Sequence, residues 1–159
     1  MAGQFKRIVE VRRRREQSLQ RVLAEMRDAR DAQQKELCKA ERRIRDQEQG
    51  LAAYWSALMK GLGDGLDYQA FQAALVWRET LQARLQAEQQ MVPQYVVALE
   101  KAEAKVARAA DDVKDANRSL RNIEEQYKRE READALLAEL LAEAEADEFV
   151  ETLPPKGRN

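Results

Sequence analysis

The chain has 159 residues, 36% of them charged and only 6% aromatic, with 28 Lys/Arg against 29 Asp/Glu for a net charge of −1. It carries no His and one Cys, which excludes Ser-His-Asp and Cys-His catalysis, disulfide frameworks, zinc ribbons and most catalytic zinc sites. Few Gly, Pro, Val and Thr argue against an all-β fold, and the excess of Ala, Glu, Arg, Leu and Gln is the composition of long helices.

The chain opens Met-Ala-Gly-Gln-Phe-Lys, without the apolar stretch of a signal peptide. No apolar run approaches the ~20 residues that cross a bilayer. The expected location is therefore cytoplasmic, with lone Cys38 a reduced thiol. Residues 1–30 hold nine Lys/Arg against four Asp/Glu, and residues 131–151 hold one Arg against eight Asp/Glu. Such asymmetry implies different neighbours for the two segments.

From residue 5 nothing but lone Gly50 interrupts a helical pattern until Gly61, Gly63 and Gly65, which cluster with Asp64 and Asp67. The spacing predicts a first helix over about 5–60 and a turn over 61–67. Gly61 is the candidate for the left-handed residue that ends the helix, and Asp67 for the N-cap of the next. The apolar seam of this helix reads Leu19, Val22, Met26, Ala29, Gln33, Leu37, Ala40, Ile44, Gln47, Leu51, Tyr54 and Leu58. Its steps of three and four, with one extra four at Gln33–Leu37, are those of a left-handed coiled coil with a phase slip.

A second helix is predicted over about 68–149, followed by a flexible tail at 150–159. Its seam runs from Tyr68, Phe71, Leu75, Arg78 and Leu81 through Leu99 and Val113 to Leu120, Ile123 and Tyr127. Pro93 lies inside it and should kink or soften it. At ~1.5 Å per residue the two helices would be about 80 and 120 Å long, too long for a compact globule. The predicted fold class is all-α, a single coiled-coil domain over 1–159. It is a long two-helix antiparallel hairpin in which Leu19 meets Val106, Met26 meets Leu99, Ala40 meets Leu85, Ile44 meets Leu81, Tyr54 meets Phe71 and Leu58 meets Tyr68. That register sets Arg12, Arg13, Arg14 and Arg15 opposite Asp111, Asp112 and Asp115. It leaves roughly the last 25 residues of the second helix unpaired, with Leu136, Leu137, Leu140 and Leu141 on one face.

No catalytic constellation is present. Gly-Leu-Gly-Asp-Gly at 61–65 lacks the Lys-Ser/Thr and the preceding strand of a phosphate loop. The carboxylates lie on solvated helix faces, Cys38 flanks the seam, and no cofactor or metal is expected. Arg12–Arg15 read either as a face neutralised in cis by the three aspartates or as a docking patch for an acidic protein. Nucleic acid is disfavoured by a short basic stripe and a pI of about 5.8, and membrane binding by the acidic polar face of the Leu-rich helix. Tyr54, Trp55, Tyr68, Phe71 and Trp77 gather near the turn, where packing and a binding head are both open readings.

Asp67-Tyr68-Gln69-Ala70-Phe71-Gln72 after the turn, Gln47-x3-Leu51-x2-Tyr54 before it and Asp147-Glu148-Phe149 near the end resemble the FliJ/YscO family of type III secretion over nearly the whole chain. The resemblance implies a non-enzymatic cytoplasmic stalk at the base of a flagellar or virulence-associated export machine. Such a stalk inserts into the pore of a hexameric export ATPase, contacts the cytosolic domain of the membrane export gate and, in some members, binds export chaperones. By motif match it implies gate contacts at Gln47, Leu51, Tyr54, Phe71 and Leu75, with Leu58 standing where the family often has a second aromatic. For the ATPase, Arg12, Arg13, Arg14 and Arg15 are the first candidate surface, and Leu137 and Leu141 the second. The alternatives are a free-standing coiled-coil chaperone or adaptor, and a homodimeric spacer joined through Leu136–Leu141.

Overall fold

The computed structural model describes residues 2–65 and 67–152. The fold is an all-α helical hairpin of two elements, α1 (Ala2–Gly63) and α2 (Tyr68–Thr152). No helix among the described residues is long and apolar enough to cross a membrane. The first helix starts earlier than the sequence predicts and continues past Lys60 through Gly61. The left-handed residue is Gly65, at φ 92°, rather than Gly61. Its amide donates to the Leu62 carbonyl at 3.3 Å and that of Asp64 to the Lys60 carbonyl at 3.2 Å, which satisfies two of the carbonyls a helix end leaves open. A Cβ at this φ would be strained, so this one glycine is required by the turn. Asp67 precedes the first residue of α2, and its carbonyl accepts from the Phe71 amide at 2.9 Å, the first bond of the helix. At the other end α2 runs on through 150–152. The rest of the expected tail, with Pro154 and Pro155, lies outside the described residues. The helix also continues through Pro93, which leaves the Gln89 carbonyl without its usual amide donor.

The inner stripe of α1 passes through Phe5, Val9, Arg12, Glu16, Leu19, Leu23, Met26, Arg30, Gln33 and Leu37, all buried or half-buried. Steps of four and three alternate strictly, and the phase slip expected at Gln33–Leu37 is absent. Val22 and Ala29, expected in the seam, are exposed, and Leu23 and Arg30 take those positions. The heptad outranks local hydrophobicity here, because the stem of Arg30 can cover the seam while its guanidinium stays near water and pairs with Asp31 at 3.1 Å. In α2 the stripe runs from Phe71 and Ala74 through Arg78, Leu81, Leu85 and Glu88 to Leu120, Ile123 and Tyr127 with the same alternation. Tyr68 is 70% exposed and does not belong to it.

Two packing units divide the chain. The first comprises Met1–Val22 and Ala110–Asn159. Its core is Val9, Leu120 and Ile123, flanked by Phe5 and Tyr127. Aligning the inner positions so that Val9 shares its core with Ile123 and Arg12 reaches Ser119 sets Leu19 against Val113. The second unit is Leu23–Ala109 and contains the turn. There Leu37, Ala40, Leu58 and Ala102 are buried, and the Tyr54 hydroxyl donates to the Ala74 carbonyl at 3.1 Å. The same matching sets Met26 against Val106, Ala40 against Val92, Ile44 against Glu88, Tyr54 against Arg78 and Leu58 against Ala74.

The mates therefore differ from the predicted ones by about one heptad at every layer. The physical reason is that a seam with a seven-residue period maps onto itself when slid by seven. The heptad alone cannot separate the two registers; apolar matching favours the predicted one, which sets Leu81 rather than Glu88 against Ile44, and the position of the turn overrides it. The link between the α1 end at Gly63 and the α2 start at Tyr68 centres the hairpin about three residues later than the predicted register requires, and so selects the observed one. From 131 to 152 every residue of α2 is exposed, the extension that unequal helix lengths require.

Candidate interaction surfaces

In the first unit the four consecutive arginines divide. Arg12 is half-buried on the inner stripe, and its Nη1 donates to the Ser119 carbonyl at 3.1 Å. Arg13 pairs with Glu124 at 3.2 Å, both side chains well solvated. Arg14 and Arg15 are exposed. Arg12, Arg15, Asp112, Asp115 and Ser119 line one groove with Leu19 and Ala116, so two of the three expected aspartates do face the basic run. Among the described residues, however, the ion pair within 4 Å that this run forms is the one from Arg13 to Glu124. The heptad shift moved the aspartates one layer from their expected mates. The run thus combines Arg12 and Arg13, tied to α2, with outward Arg14 and with Arg15, which is exposed but shares its groove with Asp112 and Asp115.

The extension presents Leu136, Leu137, Leu140 and Leu141, with Leu137 58% and Leu141 57% exposed. They recur at helical spacing on one face, bordered by Ala133 and Ala144, and acidic residues flank them. An exposed helical Leu face of this kind is a docking surface or a place where an isolated helix frays.

In the second unit, Gln47, Leu51 and Tyr54 share a groove with Gly50, Leu81 and Arg84. Three of the six sequence-named positions are thereby brought together. Phe71 and Leu75 are half-buried nearer the turn, and Leu58, at 7% exposure, is closed off in the core. Gly50 is one of the lining residues, and a Cβ built there meets nothing within 4 Å. Sequence reasoning noted it as a lone glycine, and its spacing of three from Gln47 is the signal that places it on the same face. Arg84 was not singled out. Its guanidinium lies 5.3 Å from the Trp77 ring centre, and Trp77, Val76 and Tyr68 add exposed apolar surface near the turn.

The seam here is polar as well as apolar. Gln47 Oε1, Arg78 Nε and Glu88 Oε2 are buried without a hydrogen-bond partner; the Arg43 Nε to Glu88 Oε2 separation of 3.6 Å is an ion-pair distance only. Each such orphan costs about 1–3 kcal/mol. Arg78 is offset in part by lying over the Trp55 ring, 3.9 Å from its centre. This stretch is consequently weaker than a fully apolar coil of the same length.

Among the described residues there is no group of three or more His, Cys, Asp or Glu placed to hold a metal ion, and Cys38 is exposed. The surfaces on display are an acidic, leucine-bearing helix and exposed arginines in one unit, and a small groove with cation-aromatic pairs in the other. Comparison with protein-family models, curated proteins and solved structures found no match to this chain.

Proposed function

We propose that the chain is the non-enzymatic central stalk of a type III secretion system, a FliJ/YscO-like protein that couples a hexameric export ATPase to the cytosolic domain of the membrane export gate at the cytoplasmic base of the apparatus. The observation that carries the reading is a helical hairpin whose longer helix continues as an exposed, leucine-bearing extension, joined to the family-like residues quoted above. The ATPase contact is assigned to Arg14, Arg15, Leu137 and Leu141, with Arg12 and Arg13 holding α1 against α2 beneath them. The gate contact is assigned to the groove of Gln47, Leu51 and Tyr54, with Phe71 and Leu75 beside it. An asymmetric insert in a six-fold ring biases its subunits only if it makes different contacts with different states, and the unequal faces of this hairpin suit that task.

The test is to mix the chain with its cognate export ATPase and measure hexamer assembly and hydrolysis rate. Faster hydrolysis and co-migration are expected; absence of both removes the proposal. A second reading, an adaptor that grips export clients or chaperones without the ATPase, is favoured by exposed Tyr68, Val76 and Trp77. A pull-down separates them, since a stalk recovers ATPase and gate and an adaptor recovers clients.

A further inference from the structure

The α2 extension cannot reach α1 of its own chain, because α2 is one continuous helix through Thr152 and residues 131–152 are all exposed. Yet a surface that matches it lies in the same packing unit. On α1, Ile8, Val11 and Val22 are exposed, Val11 by 65%. With Arg15 and Ser18 between them they recur at steps of three and four, a second helical stripe beside the inner one. Arg7 and Arg14 border this stripe on one side, while on the side facing α2 Arg15 shares a groove with Asp112 and Asp115, so the docking charge is carried by the Arg7–Arg14 side. Residues 2–22 carry seven Lys/Arg against two Asp/Glu, and residues 131–152 carry one Arg against eight Asp/Glu. The two stretches are nearly equal in length.

We propose that the chain forms a reciprocal homodimer, in which the acidic Leu136–Leu141 face of each copy docks on the basic Ile8–Val11–Val22 stripe of the other. Opposite charge and apolar contact coincide on the same two helices, whereas extension against extension would oppose like charges. The contact is isologous: the two identical docks close the assembly at two copies. Because it covers Arg14, Arg15, Leu137 and Leu141, the dimer is a self-capped form that cannot engage the ATPase through those residues. The dimer stands on its own observations, whether or not the stalk reading is correct.

Sedimentation of the isolated chain over about 1–100 µM should show a monomer–dimer equilibrium, with an apparent dissociation constant rising about tenfold or more between ~50 and ~500 mM salt. Two charge-reversed variants complete the test. Asp134 lies three residues before Leu137 and Glu145 four after Leu141, so Asp134→Lys/Glu145→Lys reverses the flank of the leucine face. Arg14→Glu/Arg15→Glu reverses the stripe. All four positions are exposed, and unchanged circular dichroism checks the fold. Each variant alone should be monomeric, and an equimolar mixture should recover the dimer. A monomer at every concentration in low salt overturns the proposal. So does a mixture that stays monomeric, or a dimer that survives Arg14→Glu/Arg15→Glu, which would join extension to extension. If Asp134→Lys/Glu145→Lys loses helicity, Leu140→Ser must abolish the dimer instead, and retained dimer in that variant equally overturns it. The chain alone is used, so failure here leaves the ATPase assay to be judged separately.

Discussion

The guanidinium of Arg78 lies 3.9 Å from the centre of the Trp55 ring while its Nε is buried without an acceptor. One side chain thus carries both a gain of about 0.5–2 kcal/mol and a desolvation cost of similar size. We expect Arg78→Met to change stability little or to raise it, since an apolar chain then fills the seam. Trp55→Leu should lower stability in the native background and lower it less in the Arg78→Met background, with a coupling of about 0.5–1 kcal/mol. Thermal melts of the four proteins close the cycle.

The observed register has a direct chemical test. In a Cys38→Ser background, Val9→Cys with Ile123→Cys should form an intramolecular disulfide on mild oxidation, because these residues share one core. Val9→Cys with Ala116→Cys, one heptad away, should not. Reversal of this result would restore the register that apolar matching alone suggests. Truncating the same core, Leu120→Ala should cost about 2–3 kcal/mol and speed amide exchange over α1 residues 5–16.

The divided arginine run predicts a divided phenotype. Arg12→Ala removes a bond to the Ser119 carbonyl and should cost about 0.5–1.5 kcal/mol. Arg14→Ala, at an exposed position, should stay within about 0.5 kcal/mol of the parent. Arg14→Glu/Arg15→Glu should weaken stimulation of the ATPase with helicity intact. Undiminished stimulation would move the contact elsewhere.

Gly50 offers a change whose stability and binding effects have opposite signs. Ala there meets no atom within 4 Å and should stabilise α1 by about 0.5–1 kcal/mol. It also narrows the groove shared with Gln47, Leu51 and Tyr54, so affinity for the gate domain should fall. Higher melting temperature with unchanged gate affinity would exclude the groove as that contact.

The hairpin was legible because 3.5-residue periodicity, scarce Gly and Pro, and one glycine cluster all lead to the same architecture. The inner stripe of α2 was readable almost residue by residue from Phe71 to Tyr127. In α1, Val22 and Ala29 misled because they are apolar neighbours of Leu23 and Arg30, and hydrophobicity alone cannot rank a long polar stem above a short apolar one. The mates across the hairpin were not legible, since a heptad slide keeps the same stripe facing inward, and the turn at Gly65 selects a register that apolar matching does not favour. The same slide explains why Arg13 pairs with Glu124 rather than with the aspartates opposite it in the predicted register. The six turn-side candidates came from the family resemblance; the seam spacing sets Gln47, Leu51 and Tyr54 on one face, but it could not reveal that Leu58 is sealed or that Arg84 completes their groove.

Because residues 131–152 are all exposed, their helix can melt and re-form without disturbing the core around Val9. Trypsin cutting after Arg131 therefore becomes a clock of occupancy: rapid clipping marks a vacant tip, and slow clipping marks one that something has grasped.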